Sequence, residues 1–291
     1  MLYIIINPFS GKDKGKKVLL EVEEILKSRS VEYKVLCSEY SGHAVALASI
    51  CANDETCTCV AVIGGDGTFN EVINGFYPCQ KPIGFIPAGT GNDFVRTIGI
   101  PKDTAKALDI ILKGKTVMGD IIKHDKGYCL NLLGTGFDVE ILLRANKYRK
   151  IFKGAMSYYL ALLVTLLVFK NRTFTFSIDN GQKRSEKGLI LAFANGIYCG
   201  GGLPVCPSSD ATDGKCNFVL IKKVNRLKLP YLFAKFLKGK VLELNCVESC
   251  FCDSITLEVS PYLPLNNDGE LMDFTSLTAR IIPKAINMFV L

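Results

Sequence analysis

Gly64-Gly65-Asp66-Gly67-Thr68 is the stretch whose residue types most readily do chemistry. Its glycines let the backbone approach a phosphate closely. A helix starting there offers unpaired N–H groups and the positive end of its dipole. Asp66 adds a carboxylate for a nucleotide-bound metal ion or a hydroxyl group. The same types also build a tight strand-to-helix turn capped by Asp66 or Thr68. Pro87-Ala88-Gly89-Thr90-Gly91-Asn92-Asp93 repeats the theme with backbone donors, hydroxyl, amide and carboxylate. Asn7-Pro8-Phe9-Ser10-Gly11-Lys12 is a third such segment. It lacks the early glycine and final GK[ST] of a Walker A loop, and no GxGxxG exists in the chain. Dinucleotide redox chemistry therefore loses its main fingerprint. Three polar, glycine-bearing turns point to a nucleotide.

The elements that must position these turns alternate. Residues 4–6, 33–37, 60–63 and 83–86 read as short apolar strands. Residues 14–28, 43–51 and a segment running to Asn74 read as helices, the first with Val18, Leu19, Val22, Ile25 and Leu26 on one face. This pattern predicts a parallel sheet covered by helices, with ligands at the carboxyl ends of its strands. Near Ile121 the period changes. Residues 173–178 alternate and end at Asp179-Asn180-Gly181. Residues 254–259 alternate with Ile255, Leu257 and Val259 on one face, and 189–193, 217–221 and 277–282 are further strands. Helices are expected at 139–148 and 155–169. The fold class is therefore α/β plus mostly β: an N-terminal parallel-sheet domain over 1–121, with 284–291 as a candidate completion, and an antiparallel domain over 122–283. Taken alone, Asn266-Asn267-Asp268-Gly269 reads as a hairpin turn.

The chain resembles the diacylglycerol kinase catalytic domain, in particular the bacterial lipid kinases related to sphingosine kinases. The resemblance is carried by Asn7-Pro8-x-Ser10-Gly11, by Gly64-Gly65-Asp66-Gly67-Thr68-x-Asn70-Glu71-Val72-x-Asn74-Gly75, and by Gly89-Thr90-Gly91-Asn92-Asp93-Phe94. It thins later to Asn131-x3-Thr135-Gly136-Phe137-Asp138, Asp210-Ala211-x-Asp213-Gly214 and Asp268-Gly269-Glu270. It implies an NAD kinase/diacylglycerol kinase-like fold, an ATP-dependent kinase for a lipid hydroxyl, and ATP in the cleft between an α/β domain and a β-sandwich-like domain. Nucleotide contacts would come from Asn7, Pro8, Phe9, Ser10 and Gly11, from Ser38 in place of a usual Thr, from Gly65, Asp66, Gly67, Thr68, Phe69, Asn70 and Glu71, and from Thr90 and Asn92. Glu270 matches the general base. Asp66 would help place Mg2+ on the β and γ phosphates. Asp213 matches a metal-binding aspartate, with Asp210 and Lys215 beside it contributing mainly backbone oxygens. Phosphoryl transfer asks for these parts: positioning, charge neutralisation and a base for the attacking hydroxyl.

The 291 residues, 48% apolar and 22% charged, exclude a disordered, collagen-like or coiled-coil chain. A net charge of +7 suits a phosphate-bearing partner. Twelve cysteines without a CxxC pair, and only His43 and His124, give no zinc pattern. The longest apolar run, 158–169, is too short to span a bilayer, and the start reads as a strand, so the chain is expected in the cytosol, peripherally associated with membrane. Two stretches suit anionic lipid: Arg144, Lys147, Arg149, Lys150 and Lys153, and residues 222–240 with seven basic residues and no acidic one. A solvated helical face has the same composition. No RNA-binding or zinc-finger motif accompanies the charge, so nucleic acid is not a partner; a homodimer stays open. Residues 155–169 are expected to be buried between the domains, with a part in an acyl-chain pocket left open. The expected partners are ATP and a lipid alcohol, diacylglycerol first. Alternatives are a sphingoid base, phosphatidylglycerol or a polyprenol as acceptor, an NAD kinase, or a non-catalytic nucleotide or lipid sensor.

Overall fold

A computed structural model describes residues 1–148, 151–152, 155–259 and 264–291. The chain divides into two units, the first formed by Met1–Ile121, Asp210–Gly214 and Ile282–Leu291, the second by Ile122–Ser209 and Lys215–Ile281.

The first unit runs β1 (Leu2–Ile6), α1 (Ser10–Ser28), β2 (Tyr33–Cys37), α2 (His43–Asn53), β3 (Cys59–Gly64), α3 (Asp66–Phe76), β4 (Ile83–Pro87), α4 (Asp93–Thr97), α5 (Thr104–Lys113) and most of β5 (Thr116–His124). Its strands pair in parallel in the order β2-β1-β3-β4, with Leu2 opposite both Tyr33 and Cys59 and Val60 opposite Ile83. Strands β1 and β4 are buried along their whole length and β3 at all but its first residue, because helices cover both faces; apolar runs without alternation are what such strands need. Phe69 of α3 and Phe94 of α4 meet Phe85 of β4 edge-on, at 4.9 and 5.8 Å between ring centres. These contacts seat both helices that follow the glycine turns. Helix α1 is interrupted at its start, where Gly11, Lys12 and Asp13 have φ of 60°, 62° and 65°. Regular helix begins at Lys14, as the apolar periodicity predicts.

The second unit holds β6 (Gly127–Cys129), β7 (Leu132–Gly136), α6 (Phe137–Tyr148), α7 (Ala155–Val168), β8 (Arg172–Ile178), β9 (Arg184–Ala194), β10 (Tyr198–Cys199), β11 (Leu203–Pro204), β12 (Cys216–Lys222), α8 (Leu229–Leu237), β13 (Val247–Cys252), β14 (Ser254–Val259), β15 (Leu265–Asn267), β16 (Glu270–Met272) and the first part of β17 (Ser276–Phe289). Its main sheet is antiparallel, in the order β16-β15-β7-β9-β8-β14-β17, while β12 joins β9 to β13. The remainder of β17 belongs to the first unit, where Met288 pairs in parallel with Ile83 of β4. At the end of β8, Asp179 and Asn180 both have positive φ and Gly181 N–H returns to Ile178 O, the mirror-type turn that suits a twisted hairpin.

Helix α7 departs from the expectation for 155–169. It carries no charge, and Ala161, Leu162 and Thr165 are buried in the second unit's core. Met156, Tyr159, Leu163 and Leu167 face outward instead. The two basic stretches also change in character. Arg144 pairs with Glu140, Lys222 with Glu248, and Lys235 with Glu243. Acids outside the basic run thus neutralise part of it. Arg149, Lys150, Lys153 and the side chains of Arg226 and Val259 lie outside the described residues.

Candidate active site

In the first unit the three turns are packed against one another. Asn7 follows β1, its N–H bonding Ile63 O, and its side-chain amide donates to Thr68 Oγ1 at 3.2 Å while accepting from Phe9 N. A Cβ added at Gly11 would lie 2.1 Å from Ala88 O, and one at Gly89 only 2.5 Å from the Gly65 Cα. Only glycine permits these approaches. Asp66 opens α3, and its Oδ1 accepts from the N–H groups of Asp93 (2.8 Å) and Phe94 (3.3 Å). The carboxylate expected at a metal ion thus ties the second turn to the third. Asn92 is buried with φ 52°; its amide donates to Gly89 O, and its Oδ1 has no partner among the described residues.

The remaining nucleotide candidates separate by what they touch. Thr90 is exposed, Ser10, Gly65 and Gly67 are half-buried, and Pro8 and Phe9 lie in the first turn, Phe9 outward with Lys16 above its ring. Phe69 is wholly buried in the core, so its side chain is spent on Phe85. Asn70 accepts from Asn74. Glu71 accepts from Gly42 N (2.9 Å) and Ala44 N (3.3 Å), which places its carboxylate on the N-terminus of α2. Ser38 is buried beyond β2, with its N–H on Ile6 O.

Asp210 and Asp213 belong to the first unit, and Asp210 Oδ1 accepts from the N–H and hydroxyl of Thr212. Lys215 belongs to the second unit and pairs with Asp253 at 2.7 Å. No cluster of three His, Cys, Asp or Glu arranged for a metal ion occurs among the described residues. The structure adds Asp120, wholly buried, which accepts from Gly214 N and Lys284 N at 2.7 Å each. Burial raises its pKa, Asp213 and Asp210 push the same way, and the two N–H bonds oppose them. A lone acid beside Ile121 and Ile122 in an apolar strand was the available signal for it.

Glu270 begins β16, directly after a turn in which Asp268 and Gly269 both have positive φ. The hairpin expected from the sequence is present, and its turn is what presents Glu270. Asp268 is buried and accepts from Cys129 Sγ, Leu130 N, Asn131 N and Leu132 N at 2.7 to 3.0 Å. Buried beside it, the Cys129 thiol has its pKa raised by desolvation and by that carboxylate. Asn266 accepts from Gly269 N at 2.7 Å and donates to Asp138 Oδ2 at 3.0 Å. Asp138 Oδ1 is buried without a hydrogen-bond partner among the described residues, and burial raises the carboxyl pKa. It lines an otherwise apolar pocket with Tyr158, Leu162, Leu166, Leu232 and Phe236. Asn266 therefore links the pocket's carboxyl to the turn that holds Glu270. The Gly200-Gly201-Gly202 run, all at positive φ, adjoins this pocket and carried no weight in the sequence reading.

A parallel-sheet unit with three interlocked glycine turns, followed by an antiparallel unit with an apolar pocket, defines the NAD kinase/diacylglycerol kinase fold class. Residues 1–124 match the diacylglycerol kinase catalytic domain, and 131–290 the YegS C-terminal NAD kinase beta sandwich-like domain. A diacylglycerol kinase of Staphylococcus carnosus is 31% identical over 92% of this chain and 87% of its own. The chain belongs to the diacylglycerol kinase family. Among solved structures, a Bacillus anthracis protein provisionally assigned as a diacylglycerol kinase has a TM-score of 0.83 at 24% identity, covering 100% of this chain and 95% of that one. Yeast NADH kinase, at TM-score 0.52 and 11% identity over 100% and 83% of the two chains, shares the fold.

Proposed function

We propose that the chain is an ATP-dependent lipid kinase that transfers the γ-phosphoryl group of ATP to the hydroxyl of diacylglycerol, giving phosphatidate. In this reading the first unit, Met1–Ile121 with Asp210–Gly214 and Ile282–Leu291, holds the nucleotide, and the second supplies lipid pocket and base. The observation that carries it is Asn266, which bonds both the Glu270 turn and the one carboxyl of an apolar pocket. A lipid chain in that pocket brings its polar end to Asp138 and its hydroxyl toward Glu270, which accepts the proton as phosphorus is attacked. The backbone amides of the glycine turns and the unpaired Asn92 Oδ1 suit a triphosphate with its Mg2+, which enters as part of the substrate and neutralises phosphate charge. Burial drives Asp138 toward its neutral acid, which hydrogen-bonds an ester or hydroxyl better than it pairs with an amine. That favours diacylglycerol over a sphingoid base. The site would work at a membrane surface, where its substrate resides.

Labelled ATP offered with diacylglycerol, a sphingoid base, phosphatidylglycerol and a polyprenol tests the reading. Label should pass to diacylglycerol. Transfer to another of the four replaces the acceptor, and transfer to none favours a nucleotide or lipid sensor.

A further inference from the structure

We infer that α7 lies flat in the interface of an anionic bilayer, inserting Met156, Tyr159, Leu163 and Leu167 with Leu227 and Tyr231 beside them. The inference rests on the lipid-kinase reading for its purpose and on the following features for its geometry. These six side chains are between 58 and 88% exposed. The spacing of the four on α7, three then four and four, puts them on one helical face. The other face of the same helix is apolar as well, and its Tyr158, Leu162 and Leu166 line the pocket. A helix that is apolar all round belongs in a core or in lipid, and five α7 side chains, Met156, Tyr159, Leu163, Leu167 and Val168, are exposed among the described residues. Its 14 uncharged residues reach about 21 Å, short of a hydrocarbon core of about 30 Å, so it cannot cross. No helix among the described residues is long and apolar enough to do so.

Charge selects the occupant. Lys147, Lys170, Lys223, Lys228 and Lys238 are exposed, and none forms an ion pair among the described residues. They stand on or beside α6, α7 and α8, the three helices that also line the pocket. An exposed apolar stripe, with lysines that form no ion pair among the described residues on the same helices and the segments next to them, suits anionic headgroups above acyl chains. Helices α7 and α8 would then form both the wall of the pocket and the surface sunk in the lipid. A lipid could pass from the leaflet to the pocket while its chains cross little water.

The chain contains no tryptophan, so one introduced there is a clean reporter. Tyr159→Trp, mixed with phosphatidylglycerol-phosphatidylcholine vesicles in the absence of ATP, should shift its emission to the blue and be quenched by acyl-chain bromine. Leu20→Trp, on exposed α1 of the first unit, should do neither. Leu163→Glu with Leu167→Glu should weaken vesicle binding at least tenfold with the melting temperature kept, since both side chains are exposed. Lys223→Gln and Lys228→Gln should each weaken it about fivefold at low salt. Vesicle binding without the Tyr159→Trp shift overturns the inference, as does absence of binding. A shift that grows with protein concentration alone assigns the stripe to a second copy of the chain and overturns it too. If α7 enters vesicles but the parent phosphorylates no lipid, the kinase reading fails and the surface stands. If the double variant phosphorylates dispersed short-chain diacylglycerol but not the vesicle-bound form, both stand.

Discussion

Asp268→Asn probes how Glu270, the proposed general base, is held. In the folded chain Asp268 Oδ1 takes Cys129 Sγ, Asn131 N and Leu132 N, while Oδ2 takes Leu130 N at 2.7 Å. Truncation to alanine would strand three buried backbone N–H groups at about 1–3 kcal/mol each, comparable to the stability of a whole domain. Asparagine is the sharper tool. Its oxygen can keep the three Oδ1 bonds, but its NH2 faces the Leu130 N–H, so one donor is lost. The cost is about 1–3 kcal/mol, and at about 2–4 °C per kcal/mol the melting temperature should fall by about 2–12 °C. Displacing the turn by about 1 Å should cost up to about 100-fold in kcat, with KM for ATP unchanged. Glu270→Gln alone should lower kcat by about 10²–10⁴-fold. Because Asp268 acts through Glu270, Asp268→Asn should add no further loss in the Glu270→Gln background. Additive losses, or full turnover in Asp268→Asn, would refute the anchoring role.

Gly65→Val places a Cβ 3.0 Å from the Gly89 Cα, with methyl groups reaching further, so nucleotide affinity and melting temperature should both drop. Undiminished ATP binding by calorimetry would show the turn to be scaffold only. Glu71→Ala should cost about 0.5–2 kcal/mol in urea unfolding by uncapping α2, with ATP affinity little changed. A collapse of affinity at constant stability would return its carboxylate to the nucleotide. Asp138→Asn should stabilise the chain at neutral pH. The folded pKa of Asp138 is raised, so the contribution of its proton is fully present below the ordinary carboxylate range, near about pH 4, and is lost as pH rises through the folded value. The variant's advantage should therefore vanish on acidification, and an equal gap at pH 4 and pH 8 would exclude this cause.

The parallel sheet was legible because its strands are continuous apolar runs such as Ile4-Ile5-Ile6, and both faces of each run are covered. The glycine turns were legible for the same local reason. What the turns do was less so. Glu71 finds its partners 27 and 29 residues earlier, and no spacing rule announces such a cap. Asp66 Oδ1 accepts from the third turn's Asp93 N, a tie equally long-range in sequence. Strand β13 was missed because Glu248, Ser249 and Cys250 give it no alternating apolar face. Helix α7 was recognised as a helix, but a segment apolar on every side carries no phase, and only the tertiary structure tells which side is covered.

The last stretch of β17 has a consequence for how the molecule is made. Ile286, Met288 and Phe289 are buried in the first unit, Ala285 O accepts from Gln80, and Met288 pairs with Ile83. A ribosome delivers β4 roughly 200 residues before the strand that flanks it, on the order of 10–40 s earlier. Through that interval the nascent sheet has an open, apolar edge of the kind that recruits foreign strands. The first unit is the first to be translated yet among the last parts to be finished. A gene cut at the apparent boundary near Ile121 would sever a single folding unit.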